Sequence, residues 1–284
     1  MLTTITKSGF SATIDAKGAE LVSFKNTTTH REYIWEGNPD FWGKHSPVLF
    51  PIVGTLKNGS YRYDGQTYEL PRHGFARDRE FKLIEKAPDK AVFSLQSDIQ
   101  SLKKYPFEFE LQLSYTLTDN LLVVGYKVIN KEAFAMPFSI GAHPAFALPQ
   151  SFGSYALQFD RQETLTSYEL ENDLLSNKTN RITTNNGILP LAYSLFEKDA
   201  LIFKKLASKA IIILENQKPL LRFSFNDFPN FGIWTKPGAP FICLEPWVGY
   251  SDLVDSNGEL AQKEAIRLLD PKNSCSFEFS MEIL

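Results

Sequence analysis

The sequence predicts an all-β protein built as a large antiparallel β-sandwich. Three observations carry that expectation: an aromatic-rich composition, strict apolar/polar alternation in several segments, and turn signals spaced along the whole chain. The 284 residues include 23 Phe, 11 Tyr and 4 Trp, side chains that suit a pleated, half-buried surface. Phe107, Phe109, Leu111, Leu113, Tyr115 and Leu117 alternate with mostly polar neighbours, the period of a strand with one wet face. Asp64-Gly65, Asn58-Gly59, Asn186-Gly187 and Asn257-Gly258 supply the residues that tolerate positive φ in tight turns.

The individual elements follow from the same logic. Phe277, Phe279, Met281 and Ile283 alternate with Glu278, Ser280 and Glu282, and Leu221, Phe223 and Phe225 alternate around Arg222 and Ser224; both read as strands. Asp64-Gly65 lies between the aromatic stretches of 61–70 and predicts a hairpin. Helix is confined to two short candidates, Asp98 to Lys104 before Pro106 and Gly258 to Ile266. The most polar stretch, Thr166 to Asn186, is followed by further strand-like sequence, and no linker, repeat or low-complexity tract divides the chain. Residues 1–284 therefore read as one domain. So many short strands require at least two stacked sheets, because one open sheet of that size curls or splits.

Composition also excludes classes of function. Thirty Lys and Arg against 33 Asp and Glu leave a net charge of −3, without the basic excess of a nucleic-acid binder. Residues 1–10 lack the apolar core of a secretory signal and no run reaches the length of a membrane helix, so a cytoplasmic protein with neither nucleic-acid nor membrane partners is expected. Cys243 and Cys275 are the only cysteines, too few for a disulfide framework or a thiolate zinc site, and they read as packing thiols. The nucleophile elbow, phosphate loop, dinucleotide turn and zinc-protease helix are all missing from the sequence.

Three segments hold residue types suited to acid–base chemistry. His73 sits in PRHGFARD beside Gly74, with Arg72 and Arg77 offering guanidinium forks for polar oxygens. His143 lies between Gly141 and Pro144, which read as a turn opening on a cleft. Glu245 follows the apolar run Phe241 to Leu244 and precedes Pro246 and Trp247, so at least partial burial, a raised pKa and an indole platform for a sugar face are expected. Taken singly, each has an ordinary structural explanation. Separations of 70 and 102 residues give no local geometry that joins them.

Together the segments PVLFPIVGTLKNGSY (47–61), LPRHGFARD (70–78), IGAHPAF (140–146) and ICLEPWVGYSD (242–252) resemble the aldose 1-epimerase, or galactose mutarotase-like, family. The likeness extends to GAELVSFKN and EYIWEGNPDFW near the amino terminus. The resemblance implies the family's β supersandwich with a sugar cleft, a small-molecule aldose as partner, and interconversion of α and β anomers with no cofactor and no metal. It also implies Glu245 as general base, His143 as general acid, His73 as a sugar contact and Asp199 as a holder of sugar hydroxyls. Where many members carry a substrate-binding Arg after a glycine, this chain has Thr55 after Gly54. Arg77 becomes the candidate substitute, because HGFAR also resembles the sugar-phosphate mutarotase branch. A hexose-6-phosphate mutarotase and a non-catalytic carbohydrate-binding or sensing protein are the alternatives. A glycosidase ranks lower, since it needs a second carboxylate across the scissile bond.

Overall fold

The computed structural model describes residues 1–284. Short antiparallel strands fill the chain from Leu2 to Ile283, and the α-helix is one turn, Ile99–Leu102. That turn falls inside the expected 98–104 segment. Asp98 Oδ1 accepts the Gln100 and Ser101 N–H groups, while Ser101 Oγ accepts the Asp98 N–H, a reciprocal cap that satisfies donors left free at a helix start. The second helical candidate, 258–266, forms only the 3-10 turn Leu260–Gln262.

Nine strands make the larger sheet, in the order Ile188–Pro190, Tyr155–Phe159, Ala210–Glu215, Lys218–Ser224, Ser274–Ile283, Leu121–Asn130, Phe109–Thr118, Lys90–Gln96 and Lys82–Ala87. The alternating segments predicted from sequence therefore occupy its middle. Two ends differ by a residue or two: Phe107 is buried just before its strand, and Phe225 just after its own. The eight-stranded sheet runs Leu174–Ile182, Leu165–Glu171, Leu201–Phe203, Asn230–Trp234, Phe241–Val248, Ile140–Ala142 and Val48–Leu49, with Ala145–Ala147 also paired to Phe241–Val248. Its first two strands are the polar stretch 166–186 folded as a hairpin. That stretch is polar because most of the outer strand faces solvent. Asp64 and Gly65, at φ 48° and 73°, close the predicted hairpin between Ser60–Tyr63 and Gln66–Glu69.

The sheets meet face to face through aromatic side chains. The Phe223 ring, fully buried on the nine-stranded sheet, lies 5.6 Å from Phe146 and 6.3 Å from Phe231 of the facing sheet, and 5.6 Å from Phe279 of its own. One apolar cluster of 66 buried residues extends from Ile5 to Ile283. The period of two then decides which residues of the eight-stranded sheet remain for chemistry. Ile140, Ala142, Phe231, Ile233, Ile242 and Leu244 enter the shared core. Gly141, His143, Gly232, Trp234, Cys243, Glu245 and Trp247 take the opposite face.

Truncating the ring that touches both sheets tests this packing. Phe223→Ala is expected to cost about 3–5 kcal/mol, read as a lower urea midpoint with an unchanged slope. A loss below about 1 kcal/mol would mean that the sheets are held together elsewhere.

Candidate active site

Strand Phe241–Val248 is buried along its entire length, which explains why its sequence is a nearly continuous apolar run. Its core-facing residues join the main cluster. On its other face Cys243 packs with Trp35, Ala145, Ala239 and Phe241, and Trp247 packs with Leu49, Val53, Leu175, Ile202 and Tyr250. Glu245 stands between these two apolar clusters at 2% exposure. It is a mid-strand residue of a covered sheet, so the burial expected from sequence is nearly complete.

Proline is disfavoured in a central strand because it lacks a ladder N–H, yet Pro246 occupies one. Its place is explained by the neighbour. The Leu244 N–H donates to Pro144 O, and Pro246, two residues on, turns its nitrogen to the same flank. There the partner chain is interrupted between Ile140–Ala142 and Ala145–Ala147, so no bond is forfeited. The interruption holds His143. It is a break between two short strands paired to the same neighbour, where the sequence suggested a turn, and it leaves the imidazole 8% exposed.

His143 Nε2 lies 3.2 Å from Glu245 Oε2. Packing orients the ring: Trp42 stacks on it at 4.7 Å, and Trp234 and His73 meet it edge-on at 5.8 and 5.9 Å. Burial dominates the ionisation of both partners. It pushes the His143 imidazole down to about 3, with the Arg77 and Arg72 charges acting in the same sense. Burial drives the Glu245 carboxyl well above the usual range, Asp199 adding to that and Arg72 opposing it. Between these limits the pair holds one proton, which rests on the carboxyl because a dry site favours the neutral pair over the ion pair.

The walls come from loops. His73 and Gly74 have φ of 67° and 70°; a Cβ on Gly74 would lie 2.2 Å from Phe50 O, so only glycine fits. The strained His73 backbone is tied down by its N–H to Gly54 O at 2.8 Å, and the Gly54 N–H donates to His73 Nδ1 at 3.1 Å. Burial, with the charges of His143, Arg72 and Arg77, holds the His73 pKa far below normal. A neutral imidazole has one acceptor, here taken by Gly54, so Nε2 carries a proton. Arg72 Nε, 3.3 Å from that nitrogen, then faces a second donor and gains nothing from the contact. Its other end bonds Asp173 at 3.0 Å on the rim. Arg77 donates to Arg72 O at 2.8 Å, while its buried Nε makes no hydrogen bond and lies 3.8 Å from Asp78 Oδ2.

Asp199, at the unusual φ of 105°, accepts the Ala200 N–H and lines the same cavity as the dyad. The loop carrying Trp42 is fixed from beneath. Buried Glu20 Oε1 accepts the His45 and Ser46 N–H groups at 2.6 and 3.0 Å, and the Trp35 indole donates to Trp42 O.

Glu245, His143, His73, Arg77 and Asp199, the five residues singled out in the sequence, all line one cavity of about 620 Å³. Arg72 and Trp247 line it too. Trp247 lies flat across the sheet, and a Cβ on Gly141 or Gly232 would come within 2.6 or 2.5 Å of its indole. Thr55 turns away from the space: its N–H donates to Ser251 Oγ, leaving Gly54 and Ser251 at the wall. Trp42 and Trp234 went unnoticed as site residues in the sequence. Trp42 stands in a Pro- and Gly-punctuated loop and Trp234 ends a strand, so neither has a local signal. Only their shared contact with His143 reveals them.

A family model described as aldose 1-epimerase matches residues 1–266. The chain is 33% identical over 282 residues to the chromosomal LacX protein of Lactococcus lactis subsp. lactis, with 94% of each covered. A galactose mutarotase related enzyme from Lactobacillus acidophilus superposes with a TM-score of 0.95 at 33% identity, over 100% of this chain and 97% of that one. A galactose mutarotase-like protein from Lactobacillus casei gives 0.95 at 30% identity, over 100% of both chains. With a matching fold along its whole length and a matching sequence over nearly all of it, the chain belongs to the aldose 1-epimerase family.

Proposed function

We propose that this protein is an aldose 1-epimerase that interconverts the α and β anomers of a hexose by opening and reclosing the pyranose ring. The observation that carries the proposal is the 3.2 Å contact between His143 and Glu245 at the floor of a sugar-sized cavity. Ring opening removes a proton from the C1 hydroxyl and delivers one to ring oxygen O5. Both oxygens are bonded to the same carbon, so the groups that serve them must sit side by side.

The dyad's single proton suits that exchange. A sugar hydroxyl donating to Glu245 favours its carboxylate, and O5 accepting from His143 favours the imidazolium, so the resting proton passes across the short contact as substrate binds. Glu245 then takes the C1 hydroxyl proton while His143 gives its own to O5. Rotation about C1–C2 exposes the other carbonyl face, and the reverse transfers close the ring. No proton is lost or gained. In this reading His73 Nε2–H and Arg77 hold sugar oxygens, Asp199 accepts from sugar hydroxyls, and Trp42 and Trp247 cover apolar ring faces.

Arginine pairing at the rim favours a second reading, in which the hexose carries a 6-phosphate. Arg72 and Arg77 line the same cavity, and Arg77 Nε makes no hydrogen bond, its nearest carboxylate oxygen being Asp78 Oδ2 at 3.8 Å. Phosphate oxygens would satisfy both forks.

Glu245→Gln is expected to keep the fold and slow mutarotation of fresh α-glucose or α-galactose about 10²–10⁴-fold in polarimetry; His143→Asn is expected to do likewise. Saturable sugar binding with no acceleration by the wild type would instead make the protein a sugar sensor. The rate is also expected to fall on both sides of a plateau. Toward pH 3 the dyad takes a second proton, and above the raised pKa of Glu245 it loses its only one. His73, Arg72, Arg77 and Asp199 face the pair and set those limits. A rate climbing steadily through the alkaline range would rule out the one-proton dyad. For the second reading, glucose and glucose 6-phosphate are compared in wild type and Arg77→Met: a phosphate site gives a higher kcat/KM for the ester that is lost in the variant, whereas equal values exclude it.

A further inference from the structure

Cys243 is not used by the acid–base chemistry, yet its thiol faces the groups that are. Glu245 follows it by two positions on the same strand face, and His143 approaches from the neighbouring break. The Cys243 sulfur, one His143 nitrogen and one Glu245 carboxylate oxygen all lie within 4.8 Å of one another. We propose that these three side chains form a binding site for a soft divalent transition-metal cation such as Zn²⁺, and that an ion held there blocks the dyad.

Ligand chemistry supports the assignment. Thiolate, imidazole and carboxylate are the donors zinc takes, and three protein ligands leave a fourth position open. Tetrahedral zinc places its ligands about 3.3–3.6 Å apart, so the triad must contract by roughly 1 Å at its widest. The backbone need not move much, because two ligands share one strand and the third is on its hydrogen-bonded neighbour.

Charge balance supports it as well. Thiolate plus carboxylate cancel a dication, so the filled site is neutral although it lies in a dry apolar surround. Zinc takes its ligands deprotonated, so binding releases protons and involves no redox step. Among the facing groups Asp199 favours a cation, Arg72 and Arg77 oppose it, and Trp42 and Trp234 are neutral. Entry is through the cavity lined by His143 and Glu245, with Cys243 one layer beneath.

Metal binding stands on geometry alone, whereas inhibition rests on the proposed epimerase activity, so two readouts are needed. Untagged protein is titrated with ZnCl₂ by calorimetry in buffers of different ionisation enthalpy, and separately with CoCl₂ by absorption. The expected result is one ion per chain, protons released on binding, and a thiolate-to-cobalt charge-transfer band. Cys243→Ala and the better-filling Cys243→Val should abolish the band and weaken zinc by more than the roughly 10–100-fold that losing an outer-shell partner costs. Cys275→Ser should change neither. In the mutarotation assay the ratio of rates with and without zinc should fall in wild type, be relieved by excess sugar or chelator, and stay near unity in both Cys243 variants. A cobalt complex without the thiolate band, or zinc affinity unchanged in both folded variants, would overturn the site. Binding without inhibition would overturn only the block.

Discussion

Desolvation of one carboxyl group is the constraint on which the rest of the site depends. A glutamate in the middle of a covered strand is costly if ionised and unpartnered, and every neighbour of Glu245 bears on that cost. Two apolar clusters flank it, an imidazole stands 3.2 Å away, and the charges of Arg72 and Asp199 act on it in opposite senses. The same burial that raises its pKa lowers that of His143. Two groups whose ionisation would ordinarily be separate become a unit with one mobile proton. Acid–base work on two oxygens of one carbon needs just such a unit.

The scaffold follows from the requirement that a sheet be buried on both faces. One face of the eight-stranded sheet packs on the nine-stranded sheet through Phe146, Phe231 and their partners. The other must be covered by something smaller than a third sheet, and loops carrying Trp42, His73 and Asp199 do this. Glycine at 141 and 232 admits the Trp247 indole, and the ladder break at 143 makes room for both an imidazole and a proline. These features look like defects when each strand is taken alone. Seen across three strands, they are what turn a sheet face into a cavity floor.

Much of this was legible in the sequence, for definable reasons. Alternation at 109–117 and 277–283 reveals strands because each has one wet face. Asp64-Gly65 reveals a hairpin because few residue pairs accept two positive φ angles. The hairpin within 165–182 escaped, because an edge strand with few apolar positions has the composition of a loop. The 258–266 segment leaves helical geometry at Lys263, where ψ turns to 132°, and Ala265 follows at a positive φ of 61°. At the site, Glu245 was visible as an acid after an apolar run, yet the depth of its burial was not, since an all-apolar strand does not show which side covers it. Resemblance to a family brought the five site residues together before any coordinate did; Trp234 carries no signal of either kind.

The strand Ser274–Ile283 sits near the middle of the nine-stranded sheet, hydrogen-bonded to Lys218–Ser224 on one side and Leu121–Asn130 on the other. During translation the ribosome must therefore deliver residue 283 before either half of that sheet can find its partner. Until then two strand edges stand open and Phe223 lacks its contact with Phe279. Docking of this one strand closes the nine-stranded sheet, and the sheet that floors the cavity packs against it.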